Sequence, residues 1–164
     1  MKDFDWTKFT RKIAINATIK ELYDAWTTAS EIERWFLERS VYKNSENKEI
    51  PKTKRVEKGD SYVWSWYLYE PTEDGKITKA NGKDHLQFTF AGDCLVDVVL
   101  TEKEGKVIVT LTQSNIPVDD NSKKGIRLGC DSGWSFYLVN LKSVYEGGVD
   151  LRNKDESLKG MLNA

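Results

Sequence analysis

Lys123-Lys124-Gly125-Ile126-Arg127-Leu128-Gly129-Cys130-Asp131-Ser132-Gly133-Trp134-Ser135-Phe136-Tyr137-Leu138-Val139-Asn140-Leu141-Lys142-Ser143-Val144-Tyr145 is the stretch on which the fold turns. Ile126, Cys130, Trp134, Tyr137, Leu138, Leu141, Val144 and Tyr145 recur at helical spacing and share one broad face. Asp119-Asp120-Asn121-Ser122 offers several N-caps before it, and Glu146-Gly147-Gly148 a stop after it. At 1.5 Å per residue such a helix runs about 35 Å, enough to lie across a whole sheet. Gly125, Gly129 and Gly133 fall at i, i+4 and i+8 on one side. Each costs up to about 1 kcal/mol of helix propensity against Ala. Three in a row indicate a close backbone approach or space left open beneath the helix; the alternative is a weak helix start.

Working back from that helix, the chain reads as strands. Ser61–Tyr69 carries Tyr62, Trp64, Trp66 and Tyr69, with large side chains at both parities. Glu73-Asp74-Gly75 reads as a turn. Lys76–Ala80 and Asp84–Phe90 flank Asn81-Gly82, a strong hairpin signal. Cys94–Glu102 and Lys106–Ser114 follow, separated by Glu104-Gly105 and closed by Pro117. Nearer the N-terminus, Lys12–Ala17 alternates as a first strand beginning near Thr7. Thr18 and Glu21 have capping-box spacing before a helix through Ile19, Leu22, Tyr23 and Trp26. Ser30 and Glu33 repeat that spacing before Ile32, Trp35 and Phe36, and Phe36–Tyr42 reads as extended. The polar stretch 43–60 reads as a long loop: a lid or partner contact on one reading, a solvated excursion on the other.

The expected fold class is therefore α+β: a curved antiparallel sheet gripping a long C-terminal helix, with two short helices after the first strand. The 164 residues suit one domain, expected over 1–150, with a polar, frayed tail over 151–164. Charged residues make up 31% of the chain, yet the net charge is −1. That leaves no strong field for nucleic acid or anionic lipid. No apolar run approaches the length of a membrane span, so no membrane insertion is expected. Met1-Lys2-Asp3-Phe4-Asp5-Trp6 is too polar for a signal peptide, which points to the cytoplasm. Cys94 and Cys130 read as two buried thiols in a reducing compartment, forming a disulfide only if the fold brings them together.

Chemistry-bearing patterns are sparse. His85 is the sole histidine and reads as a hairpin-surface residue, so a histidine-based triad or a multi-histidine metal site has little to draw on. No phosphate-binding glycine motif is present. No catalytic residue, metal or cofactor is assigned. Asp97 faces solvent if Val96 and Val98 face inward; in the reverse register it becomes a buried carboxylate. Gln113 ends the Val109-Leu111-Gln113 parity expected to face inward, either orienting a ligand's polar group or satisfied within the core. Tyr62, Trp64, Trp66, Phe88, Phe90, Trp134 and Tyr137 are candidates for a pocket wall between sheet and helix, or for core.

Several segments carry a family resemblance. They are Ile15-Asn16-Ala17-Thr18 through Leu22-Tyr23-Asp24-Ala25-Trp26-Thr27, Ser30 through Trp35, Gly75-Lys76-Ile77, His85-Leu86-Gln87-Phe88-Thr89-Phe90, Val107 through Gln113, and Gly133-Trp134 with Asn140-Leu141-Lys142. Over roughly residues 8–150 the chain resembles the activator-of-Hsp90-ATPase-like proteins of the START/Bet v 1-like (SRPBCC) superfamily. The resemblance implies a helix-grip fold. It also implies non-catalytic binding of an apolar small molecule, with Trp26 and Trp35 joining the pocket candidates. The alternative it implies is a protein-interaction module, a co-chaperone-like activator using exposed basic residues such as Lys52-Thr53-Lys54-Arg55.

Overall fold

The computed structural model describes residues 3–163. Met1 and Lys2 of the polar N-terminal stretch, and the final tail residue Ala164, lie outside the described residues. Strand β1 (Phe9–Ile15) leads into α1 (Ile19–Thr27) and α2 (Ala29–Trp35). Then come β2 (Arg39–Lys43), β3 (Ser61–Trp66), β4 (Tyr69–Ala80), β5 (His85–Phe90), β6 (Cys94–Lys103) and β7 (Lys106–Ser114). The long helix is continuous from α3 (Asp120–Ser122) through a π-helical segment (Lys123–Leu128) into α4 (Gly129–Gly147). The seven strands form one antiparallel sheet in the order β1-β7-β6-β5-β4-β3-β2. This is the helix-grip arrangement expected, with two short helices filling the space between β1 and the far edge.

Alternation decides what faces the helix. Val96, Val98 and Leu100 of β6 are buried, as are Val107, Val109, Leu111 and Gln113 of β7. From α4 the buried residues are Trp134, Leu138, Asn140, Leu141 and Val144. Both bonds of the capping box at Thr18 and Glu21 are present. The turns at Gly82, Ala91-Gly92 and Glu104-Gly105 have positive φ, as short hairpin connections require.

Four expectations are corrected. Strand β1 stops at Ile15 because the Asn16 N–H donates to the Glu146 carboxylate rather than to a strand. Ser30 does not cap α2: Thr28 stands at that cap, and its hydroxyl donates back to the Asp24 carbonyl. The Ser30 N–H is satisfied by the Lys52 carbonyl, and Glu33 accepts from Ser40 N–H and Lys52 Nζ instead. Glu73-Asp74-Gly75 is no turn but the middle of β4. A Cβ on Gly75 would stand 2.6 Å from the Tyr62 hydroxyl, so this glycine admits the ring of its cross-strand partner. The actual turn is at Tyr67-Leu68, with Leu68 at φ 59° and Trp66 paired to Tyr69.

The fourth correction is the tail. It is docked, not frayed, at its start: the buried Arg152 guanidinium donates to the carbonyls of Leu37, Glu33 and Arg34 and pairs with Asp150. The stretch 43–60 is also anchored. Ile50 and Val56 are buried, and the Val56 N–H donates to the Thr27 carbonyl.

Candidate functional site

Sheet and helix separate toward the N-terminal half of the long helix, leaving a cleft of about 420 Å³. Phe36, just beyond α2, forms one wall. The β3–β4 hairpin contributes Trp66, Tyr67, Tyr69 and Glu73, and the end of β5 contributes Phe90 and Ala91. The helix contributes Gly125, Gly129, Cys130, Gly133, Trp134 and Tyr137. A Cβ at Gly125 or Gly133 would meet nothing within 4 Å, and one at Gly129 only the Lys124 carbonyl at 3.7 Å. Of the readings open for these glycines, the structure therefore favours space beneath the helix. The π-helical segment serves the same geometry: π turns interrupt α-helices mostly as short insertions and often at functional sites. Here it directs Arg127 away from the cleft, onto Phe4, Phe9, the Asp5 carbonyl and Asp131.

Trp134 is the hub of the aromatic cluster. Its ring lies 5.0 Å from Phe36, 5.2 Å from Phe90 and 5.9 Å from Trp26, centroid to centroid. Its indole N–H donates to Gln113 Oε1 at 3.0 Å. The Gln113 Nε2 is buried without a partner among the described residues. Burial pushes the thiols of Cys94 and Cys130 up, Cys130 to about 11. Both cysteines are free thiols. Burial likewise raises the Tyr137 phenol to about 12, so it stays a hydrogen-bond donor at neutral pH.

The candidate residues separate into two groups. Trp66, Phe90, Trp134 and Tyr137 line the cleft. Trp26, Trp35, Tyr62, Trp64 and Phe88 are packed in the interior, and Gln113 lies behind Trp134. Within that interior the Trp35 indole N–H donates to the Ala25 carbonyl and the Trp64 indole N–H to the Tyr42 hydroxyl. Phe36, Tyr67, Tyr69, Glu73 and Cys130 line the cleft without having been singled out. Phe36 and Cys130 were visible only as apolar helix positions. Glu73 was hidden by its reading as a turn residue, although its cross-strand pairing with the inward Trp64 sets it on the concave face.

A second hollow of about 850 Å³ lies between α1, α2, the 50s loop and Tyr145. It is larger but its charges are already matched: Asp24 with Lys20 and Arg55, Glu31 with Arg34 and the Tyr145 hydroxyl, Glu21 with Thr18. On the outer face of the sheet, Asp97 accepts from Gln87 and bonds His85 Nε2 at 2.7 Å, consistent with Val96 and Val98 facing inward. Among the described residues no group of three His, Cys, Asp or Glu is placed to hold a metal ion. No helix among them is long and apolar enough to cross a membrane.

A curved antiparallel sheet closed on a long C-terminal helix, with an aromatic cleft where the two separate, defines a START/Bet v 1-like helix-grip protein. The chain belongs to the family described as activator of Hsp90 ATPase homolog 1-like protein (AHSA1), which matches residues 16–146. Solved structures with this fold include the Aha1 dimer from Colwellia psychrerythraea, at 20% identity over 86% of this chain and 97% of that one, with a TM-score of 0.64. The protein SSP2350 from Staphylococcus saprophyticus is similar at 20% identity, 88% and 96% coverage and a TM-score of 0.69. DynU16, from the dynemicin biosynthetic locus, is 17% identical over 90% of this chain and 50% of its own, with a TM-score of 0.70. At these identities the likeness is one of fold. No curated protein matches the chain.

Proposed function

We propose that this protein binds an apolar, aromatic-bodied small molecule in the cleft between the β3–β4 hairpin and the glycine-bearing start of the long helix, without catalysing a reaction on it. The observation that carries this reading is the row Gly125, Gly129 and Gly133 facing open space opposite Trp66, Tyr69 and Phe90. Helix propensity is given up at three positions, and what it leaves is volume rather than closer packing. A volume of about 420 Å³ lies in the usual range for small-molecule sites. Burying apolar ligand area contributes about 25 cal/mol per Å² before ordering costs. The Tyr137 hydroxyl supplies a polar contact within a mostly aromatic wall. The two free thiols suit a reducing compartment, the cytoplasm.

The family description also allows a chaperone-directed role. The basic run considered for it is already paired with carboxylates of the chain, which lowers its net positive field: Lys52 with Glu33, Lys54 with Glu57, and Arg55 with Asp24. The cleft is therefore the better-supported site. The test is titration with an apolar fluorescent probe against wild-type protein and the Gly133→Leu variant. Binding should be saturable in the wild type and lost in the folded variant; equal binding by both would remove the cleft from consideration.

A further inference from the structure

Among the described residues, Glu73 is the only Asp, Glu, Lys, Arg or His lining the cleft. It is half-buried, and Oε1 accepts the Ala91 N–H at 2.6 Å. The Gly92 N–H also faces the carboxylate, which forms no ion pair with any Lys, Arg or His among the described residues. Burial, and then the neighbouring Asp74, raise the carboxyl above its ordinary value. The chain thus partly desolvates a carboxylate and offsets it with backbone N–H groups but with no cation, which leaves a place for a cationic partner. Two cations beside the Tyr67 wall of the cleft are engaged: Arg152 and Lys154 stack on the Tyr67 ring and pair with Asp150. Trp66, Tyr69, Phe90 and Trp134 line the same cleft, and the faces of such rings attract a desolvated cation.

We infer that the ligand of this cleft carries a protonated amine on its aromatic or apolar body, with the ammonium paired with the Glu73 carboxylate and its flanks against the aromatic rings. This rests on the reading of the cleft as a small-molecule site and names the ligand class. An anionic ligand is disfavoured by the same carboxylate, and a neutral one leaves it unmatched. The arrangement differs from the second hollow, where each carboxylate already has its partner.

Three matched probes test the inference by isothermal titration calorimetry at pH 7: 1-naphthylmethylamine, 1-naphthylmethanol and 1-naphthoate. Glu73→Gln keeps an oxygen for the Ala91 N–H and removes only the charge, so the β4–β5 corner is retained. Asp74→Asn, at an exposed neighbour, controls for general loss of negative charge. A charge-assisted hydrogen bond predicts that the amine binds wild-type protein about tenfold or more tightly than the alcohol, with the naphthoate weakest. Glu73→Gln should erase that preference and leave the alcohol within about twofold, whereas Asp74→Asn should largely preserve it. If the alcohol binds but the amine has no advantage, or keeps it in Glu73→Gln, the inference is overturned and the cleft reading survives. If no naphthyl probe binds either protein, the cleft reading itself falls and takes the inference with it.

Discussion

The two halves of the long helix differ as sharply as two separate elements would. From Trp134 onward it buries Leu138, Leu141 and Val144 against the sheet, and Asn140 donates to the Trp35 carbonyl while accepting from the Leu151 N–H. It ends in Gly148, whose left-handed conformation closes the last turn. Before Trp134 the same helix is π-wound, shows glycines to open space and holds its outward side through Arg127. Packing energy is concentrated in one half, which frees the other to border a cavity. Stability and binding are then separable along a single helix axis.

That separation can be broken or sharpened by substitution. The largest effect should come at the junction: Trp134→Ala empties the centre of the aromatic cluster and should destabilise by about 3–5 kcal/mol in chemical denaturation. Next is Arg152→Ala, which strips the donor from the carbonyls of Leu37, Glu33 and Arg34 beside the packed half. A loss of about 2 kcal/mol is expected, again by denaturant midpoint. At Gly133 the sign should reverse. Gly133→Ala should raise stability by up to about 1 kcal/mol, because its Cβ meets nothing, while weakening ligand binding. A destabilised Gly133→Ala would contradict the open-space reading.

The smallest effect concerns acid. Burial raises the Asp150 carboxyl, but its bonds to Arg152, Lys154 and Asn140 outweigh that and hold it well below the ordinary carboxylate range. A carboxyl depressed on folding contributes stability above its unfolded value, near 3.8, and loses it as pH falls through the folded one. Wild-type stability should therefore fall more steeply below pH 3.8 than that of Asp150→Asn, as thermal melts across pH would register.

Much of the fold was legible because local chemistry agreed with the global structure. Asn81-Gly82 and Glu104-Gly105 announced their turns through glycines that take positive φ, and Thr18 with Glu21 announced a helix start. The misreadings have physical causes. Gly75 looked like a turn glycine, yet it is a strand glycine that makes room for Tyr62, a cross-strand contact invisible along the chain. The turn it displaced is made by Tyr67-Leu68 without any glycine, so nothing local marked it. Arg152 reads as a tail residue until its carbonyl partners, more than 100 residues away, are brought beneath it. Of the cleft, Trp66 and Trp134 could be read from strand parity and helical period. Glu73 could not, because its face depends on the corrected hairpin register.

The most direct test of the central claim is native mass spectrometry of wild-type and Gly133→Leu protein purified from the native host, each compared with its denatured form. The account predicts a discrete added mass on the wild type that disappears on denaturation and is missing from the folded variant. The same added mass on both proteins, surviving with the cleft filled, would contradict it.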